Sequence, residues 1–184
     1  MALRWSLTVA AVLMVVGIAG AAETPEPPAV RLQLRSDVRV PDDVLEEARD
    51  EVVRIFAQSR FEVVWTDTAP DVTVRIAAQV LGFARAKSQV MGAAKRTPDG
   101  RVAHVFFRQV QEFARIYHID LSSMLGHVIA HEVGHLLLPT FAHSPTGLMR
   151  AEWDDMQVRD AARRALTFTD GQAHRIRAAR GVFP

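Results

Sequence analysis

Five consecutive residues, His131-Glu132-Val133-Gly134-His135, carry the densest chemistry in the chain. The run Leu121 to Leu138 around them holds strong helix formers and no proline, with Asp120 or Ser122 as an N-cap, so it predicts a helix. Positions four apart lie one turn above each other, so His131 and His135 project from one face and can share a divalent ion. Neutral imidazole suits zinc. Glu132 stands about 100° around the helix, where its carboxylate reaches a water beside the ion. Zinc lowers the pKa of such a water from 15.7 to about 7, so a carboxylate can take its proton near neutrality. This is the H-E-x-x-H arrangement of metal-dependent peptide hydrolysis. A pattern this short arises by chance in roughly one such sequence per hundred, so its flanks decide how far it is trusted.

Downstream, Pro139 predicts the helix end near Leu138, because the residue before a proline disfavours helical geometry. His143 follows His135 by eight residues, and a chain of that length can turn back on itself. Three histidines and a water complete a four-coordinate catalytic zinc site with one exchangeable position. Ser144-Pro145-Thr146-Gly147 then reads as a tight turn that places Leu148 and Met149 beneath the metal.

The helix motif, the third histidine and the Gly147-Leu148-Met149 turn resemble the metzincin clan of zinc peptidases. More narrowly, they resemble small secreted bacterial metzincin-like proteins. The specific motifs lie between Leu121 and Trp153, within a similarity running from about Val40 to the C-terminus. The clan pattern is H-E-x-x-H-x-x-G-x-x-H followed by a methionine turn. The resemblance implies one zinc held by His131, His135 and His143, Glu132 as general base, and Met149 as an apolar floor that does not bind metal. It implies a zincin-like α+β fold in which a twisted mixed sheet supports the active-site helix and a C-terminal helical part follows. The chain departs from the pattern by a two-residue insertion. Leu138 stands at the turn glycine and Phe141 at the third ligand. Glu152 therefore competes with His143 as the third ligand; its ordinary reading is a charged residue at the start of the next helix.

The elements that must hold these residues follow from the pattern of the remaining chain. Val30, Leu32 and Leu34 alternate with polar residues and predict a first strand. Asp42 to Gln58 shows a helical apolar face, with Asp42 and Asp43 at the positive end of its dipole. Phe61–Thr66, Asp71–Ala77 and Arg101–Phe107 are expected strands, and Trp65 is expected to pack. Gly82 to Gly100 reads as a long loop feeding a hairpin through Thr97-Pro98-Asp99-Gly100. The order is strand, helix, three strands, active-site helix, with helices covering one face of the sheet. From Phe168 onward the chain reads as a capped helix whose arginines form a solvated face. His127, one turn before His131, is expected to be an ordinary, partly exposed helix histidine, with contact to the site as the sharper reading. His104 belongs to a sheet surface or the cleft border, and His118 and His174 to the surface.

Composition bounds the rest. The chain has 184 residues, enough for one domain that buries about 70% of its unfolded surface without covalent staples. It has no cysteine, which excludes disulfides, thiolate metal sites, cysteine nucleophiles and a thiol that caps the metal. Residues 1–22 read as a signal peptide: Arg4, an apolar run from Leu7 to Ala19, and small residues leading to cleavage after Ala21 or Ala22. The competing reading is an uncleaved membrane anchor, since Trp5 to Ala22 is free of charge. Residues 23–29 form a proline-rich linker, and 30–184 the catalytic domain. Loss of Arg4 takes the formal net charge from +1 to zero, which gives no footprint for nucleic acid or an anionic membrane. The expectation is an exported, periplasmic or secreted, zinc peptidase acting on a peptide or protein substrate. The alternative is a zinc-binding extracytoplasmic module without turnover. An intact Glu132 speaks against it, because structural zinc fills all four positions and needs no base.

Overall fold

The computed structural model describes residues 28–78, 90–140 and 142–178. The expected leader and nearly all of the expected linker lie outside the described residues, and β1 starts at Ala29. Among the described residues no helix is long and apolar enough to cross a membrane.

The elements run β1 (Ala29–Ser36), α1 (Asp42–Gln58), β2 (Glu62–Trp65), β3 (Val72–Ala77), β4 (Gly92–Thr97), β5 (Gly100–Phe106), α2 (Phe107–Tyr117), α3 (Leu121–Leu137), α4 (Asp155–Ala162) and α5 (Asp170–Ala178). The sheet order is β2-β1-β3-β5-β4. The first three pairings are parallel, and β4 closes the edge antiparallel to β5. The fold is α+β on a mixed sheet, as the alternation predicted.

Residues paired across the ladder share a face, so the register sorts the sheet into two sides. Val30, Leu32, Val63, Val72, Val74, Ile76, Ala103 and Val105 are buried on the helix side. α3 lies across β3, β5 and β4 there, and α1 packs against α3. The two helices meet at Gly126, where a Cβ would stand 2.6 Å from Glu51 Cβ and 2.9 Å from the Ala48 carbonyl. The far side of the sheet carries Arg31, Arg35, Arg75, Lys95 and His104, with ion pairs Arg31–Asp71 and Arg75–Asp37.

Two elements differ from expectation. Gly92–Thr97, expected inside a loop, is edge strand β4, joined to β5 by the expected hairpin. Its Gly-Ala-Ala-Lys-Arg-Thr sequence lacks the branched and aromatic side chains that advertise a strand. Pairing to β5 makes it one, and Gly92 and Ala94, paired to Val105 and Ala103, leave room for α3. The second difference is α2, a helix between β5 and α3 with Phe107, Val110 and Ala114 buried at helical spacing. His118, at φ 53°, ends it in a left-handed cap.

α3 is buried from Ser122 to Leu137 on every side. Asp120 caps its start by accepting from the Ser123 N–H at 2.8 Å. Leu138, in extended backbone, ends it before Pro139. α4 opens with an Asp154–Gln157 capping box. Thr169 and Gln172 exchange the equivalent bonds before α5.

Candidate metal centre

His131 and His135 face the same way from α3, as spacing on a helix requires. Their Nε2 atoms are 3.1 Å apart, and His135 Nε2 is 3.2 Å from His143 Nε2. One ligand atom from each of the three histidines lies within 4.8 Å of the other two. The structure therefore brings His143 to the pair across the two-residue insertion. Glu152 lines the same cleft but is outside this group of three.

The turn after His143 is tied to α3. Ser144 N–H donates to the Met149 carbonyl at 2.8 Å, and Arg150 Nη1 donates to the Pro145 carbonyl at 3.1 Å. Gly147 takes φ 71°, a left-handed turn residue, and a Cβ there would stand 2.6 Å from Thr169 Cγ2. Leu148 N–H donates to the Thr167 carbonyl at 2.8 Å, which turns the Leu148 carbonyl toward His131. His131 Nδ1 lies 2.7 Å from that carbonyl. A carbonyl only accepts, so Nδ1 carries the proton and Nε2 presents a bare lone pair. Met149 is fully buried against Gly134, where a Cβ would come within 2.6 Å of its sulfur.

These nitrogens fit a zinc ion. With zinc–nitrogen bonds of about 2.0–2.1 Å, two ligands of a tetrahedron stand roughly 3.3 Å apart. Two of the three separations are 3.1 and 3.2 Å, and all three ligand atoms lie within 4.8 Å of one another. Hydrogen bonding cannot account for both contacts. If His135 Nε2 carries a proton it can give it to one neighbour; if it carries none, it faces the bare His131 nitrogen. A cation among them satisfies all three lone pairs.

Electrostatics point the same way. Burial drives His131 down to about 4, and burial together with the neighbouring imidazoles drives His135 to about 3. Burial also lowers His143. All three are neutral at pH 7, the protonation state a metal needs. Glu132, buried beside His131, is pushed up to about 8 by loss of water. Its carboxylate lies directly over Gly92 of β4: a Cβ at that position would be 2.5 Å from Glu132 Oε1 and 2.6 Å from its Cγ.

His131, His143 and Glu132 open into a cleft of about 270 Å³, walled by Met91 and Gly92, by Phe113 and Tyr117 of α2, and by Trp153. Trp153 stands edge-on to His131 at 6.4 Å and to Phe113 at 6.4 Å between ring centroids.

His127 is not the partly exposed histidine expected. It is fully buried because α3 has no solvent face. Its Nδ1 donates to the Ser123 carbonyl at 2.7 Å and lies 3.5 Å from Glu51 Oε1. Arg54 holds that buried carboxylate with two bonds of 2.6 and 2.9 Å. His104 sits on the sheet face opposite α3, paired with Arg75 and Ala93, and so does not border the cleft. His118 and His174 are exposed. Trp65 packs half-buried against the core, with the Arg49 guanidinium over its ring at 5.6 Å. Gly92 and Trp153 were not singled out from sequence; the small residues of β4 were the one available sign of a close helix.

No protein-family model matches the chain, and no curated protein matches it in sequence. Among solved structures it is similar to archaemetzincin from Methanopyrus kandleri, with a TM-score of 0.56 over 85% of this chain and 98% of that one. The fold is the archaemetzincin fold. Sequence identity is 14%, so the likeness carries the fold and the residues of this chain must carry the chemistry.

Proposed function

We propose that the chain is an exported zinc-dependent peptidase in which His131, His135 and His143 hold one zinc and Glu132 is the general base. The coarser reading, a zinc metallopeptidase, rests on the archaemetzincin-like fold together with the three-histidine cluster. The observation that carries the finer one is the convergence of three neutral imidazole nitrogens beside a buried carboxylate in an open cleft.

When bound, zinc supplies Lewis acidity, acidifying water and polarising a carbonyl. His131, locked through Nδ1 by the Leu148 carbonyl, would hold the ion through its Nε2 lone pair. Glu132 accepts a proton from water on its carboxylate and returns it to the departing amine nitrogen. Without the metal, burial pushes this carboxyl up to about 8, which would keep the proton on it at neutral pH. A nearby cation draws that proton affinity back down, which makes the carboxylate available as a base. Gly92 leaves the space this carboxylate occupies. Phe113, Tyr117 and Trp153 give the substrate an apolar wall that thins the water around the site.

Residues 1–22 act as a cleaved signal peptide in this reading, so the mature chain begins at Ala22 or Glu23. Intact mass of the exported protein tests that; recovery of Met1 to Ala22 in a membrane fraction contradicts it. Zinc titration of the purified mature chain tests the site. One zinc per chain is expected, with most of it lost in His131→Ala and in His135→Ala. His143→Ala should weaken binding and Glu152→Ala should not; the reverse result would make Glu152 the third ligand.

A further inference from the structure

The two-residue insertion removes the glycine that would turn the chain after the metal helix and puts Pro139 one residue past Leu138. That creates a local deficit. In a continuing helix the N–H of residue 139 would bond the His135 carbonyl four residues back. Proline has no N–H. No helical bond therefore runs from residue 139 to the His135 carbonyl, and the Leu136 carbonyl is also among the last-turn acceptors.

Arg96 of β4 fills this gap. Its pairing with Arg101, two residues along from Ala94 opposite Ala103, puts it on the sheet face that carries α3. Its Nη2 donates to the Leu138 carbonyl at 2.8 Å and the Leu136 carbonyl at 3.0 Å, and lies 3.4 Å from the His135 carbonyl. A cation at a helix C-terminus also meets the negative end of the dipole. The Leu138 bond matters most for the site, since it fixes the point where the chain leaves α3. Ser144 N–H to the Met149 carbonyl fixes the far end of the same excursion, one residue beyond His143. His143 therefore hangs between two anchors, one of them Arg96.

We infer that Arg96 is a positioning residue for His143: it caps α3 in place of the missing turn glycine and so sets the third imidazole at the metal centre. The inference rests on the zinc reading above. Outer partners that orient metal ligands affect affinity by roughly 10–100-fold when removed. Arg96→Met, which keeps most of the stem and loses the donors, should weaken zinc binding by about that factor. Arg96→Lys, with one ammonium in reach, should recover part of the loss. Because Arg96 acts through His143, the double variant Arg96→Met, His143→Ala should bind zinc no more weakly than His143→Ala alone.

Zinc affinities by competition with a chromogenic chelator, circular dichroism of each chain, and the visible spectrum of the cobalt(II)-substituted chains test this. The expected result is folded Arg96→Met protein whose cobalt spectrum shifts toward that of His143→Ala, with Arg96→Lys in between. Wild-type affinity and spectrum in Arg96→Met would overturn the inference, as would losses that simply multiply in the double variant. If Arg96→Met fails to fold, Arg96→Lys decides by the same spectral shift and the same comparison on the His143→Ala background. A wild-type chain that binds no zinc would instead overturn the reading on which the inference rests.

Discussion

Gly92→Ala isolates the placement of Glu132 from everything else in the site. An alanine Cβ would stand 2.5, 2.6 and 2.7 Å from Oε1, Cγ and Cδ of Glu132. Ordinary carbon contacts are about 3.5–4.0 Å, so the carboxylate has to retreat by roughly 1 Å. It is buried among α3, β4 and the cleft wall, so the retreat moves the base away from the histidines or rotates it off its rotamer. A misplacement of that size costs on the order of 10²-fold in rate, about 2.7 kcal/mol of barrier. The three atoms nearest the new methyl group all belong to Glu132, which is no metal ligand here, so zinc should stay. The assay is kcat and KM on a fluorogenic peptide, with zinc content and thermal unfolding measured on the same preparation. The expected result is stoichiometric zinc, a kcat lower by about 10²-fold and a KM changed little. Ala93→Ser, on the opposite face of the same strand beside His104, serves as the control and should leave kcat unchanged. A Gly92→Ala protein with wild-type kcat would refute the claim that β4 sets the base.

Gly134→Ala should destabilise the fold, because its Cβ would meet Met149 Sδ at 2.6 Å and Phe168 Cε1 at 2.9 Å. Urea unfolding should show a loss of about 1–3 kcal/mol, and an unchanged midpoint would contradict the packing described. The metal-free chain should be most stable near pH 6.5. Below it, His131 and His135, lowered to about 4 and 3, take up protons more readily when unfolded, so stability falls with acid. Above it those histidines are neutral in both states, while Glu132, raised to about 8, holds its proton only in the fold. Stability then falls by at most about 1.4 kcal/mol per pH unit up to pH 8. Urea midpoints with chelator at pH 5, 6.5 and 8 check this, and a midpoint that rises from 6.5 to 8 would contradict it.

The local signals in the sequence were strongest where one residue type has one physical use. Asp42 and Asp43 mark the start of α1, and Asp120 and Pro139 bracket α3, because caps, dipole charges and a missing N–H act within a turn. His131, Glu132 and His135 were legible for the same reason: one helix positions them. The partners they meet come from distant segments, and there the pattern was weaker. β4 is a strand by virtue of β5, and its glycine and alanines matter because α3 lies over them. His127 looked partly exposed because a helix surface usually has a wet side; α3, buried around its whole circumference, has none. Arg96 could have been sought from Pro139 alone, since a helix that ends on proline leaves its last carbonyls to be met from elsewhere. The sequence could not say which strand would bring the cation.

The most direct test of the central claim is hydrolysis of a broad peptide library by the zinc-loaded mature chain and by Glu132→Ala, with zinc content measured on both. The account predicts that both proteins carry one zinc, that the wild type cleaves, and that Glu132→Ala is slower by about 10²–10⁴-fold, the usual contribution of a general acid–base residue. A wild type that binds zinc and cleaves nothing would make this a binding module on a peptidase fold. A Glu132→Ala protein that cleaves at the wild-type rate would contradict the mechanism.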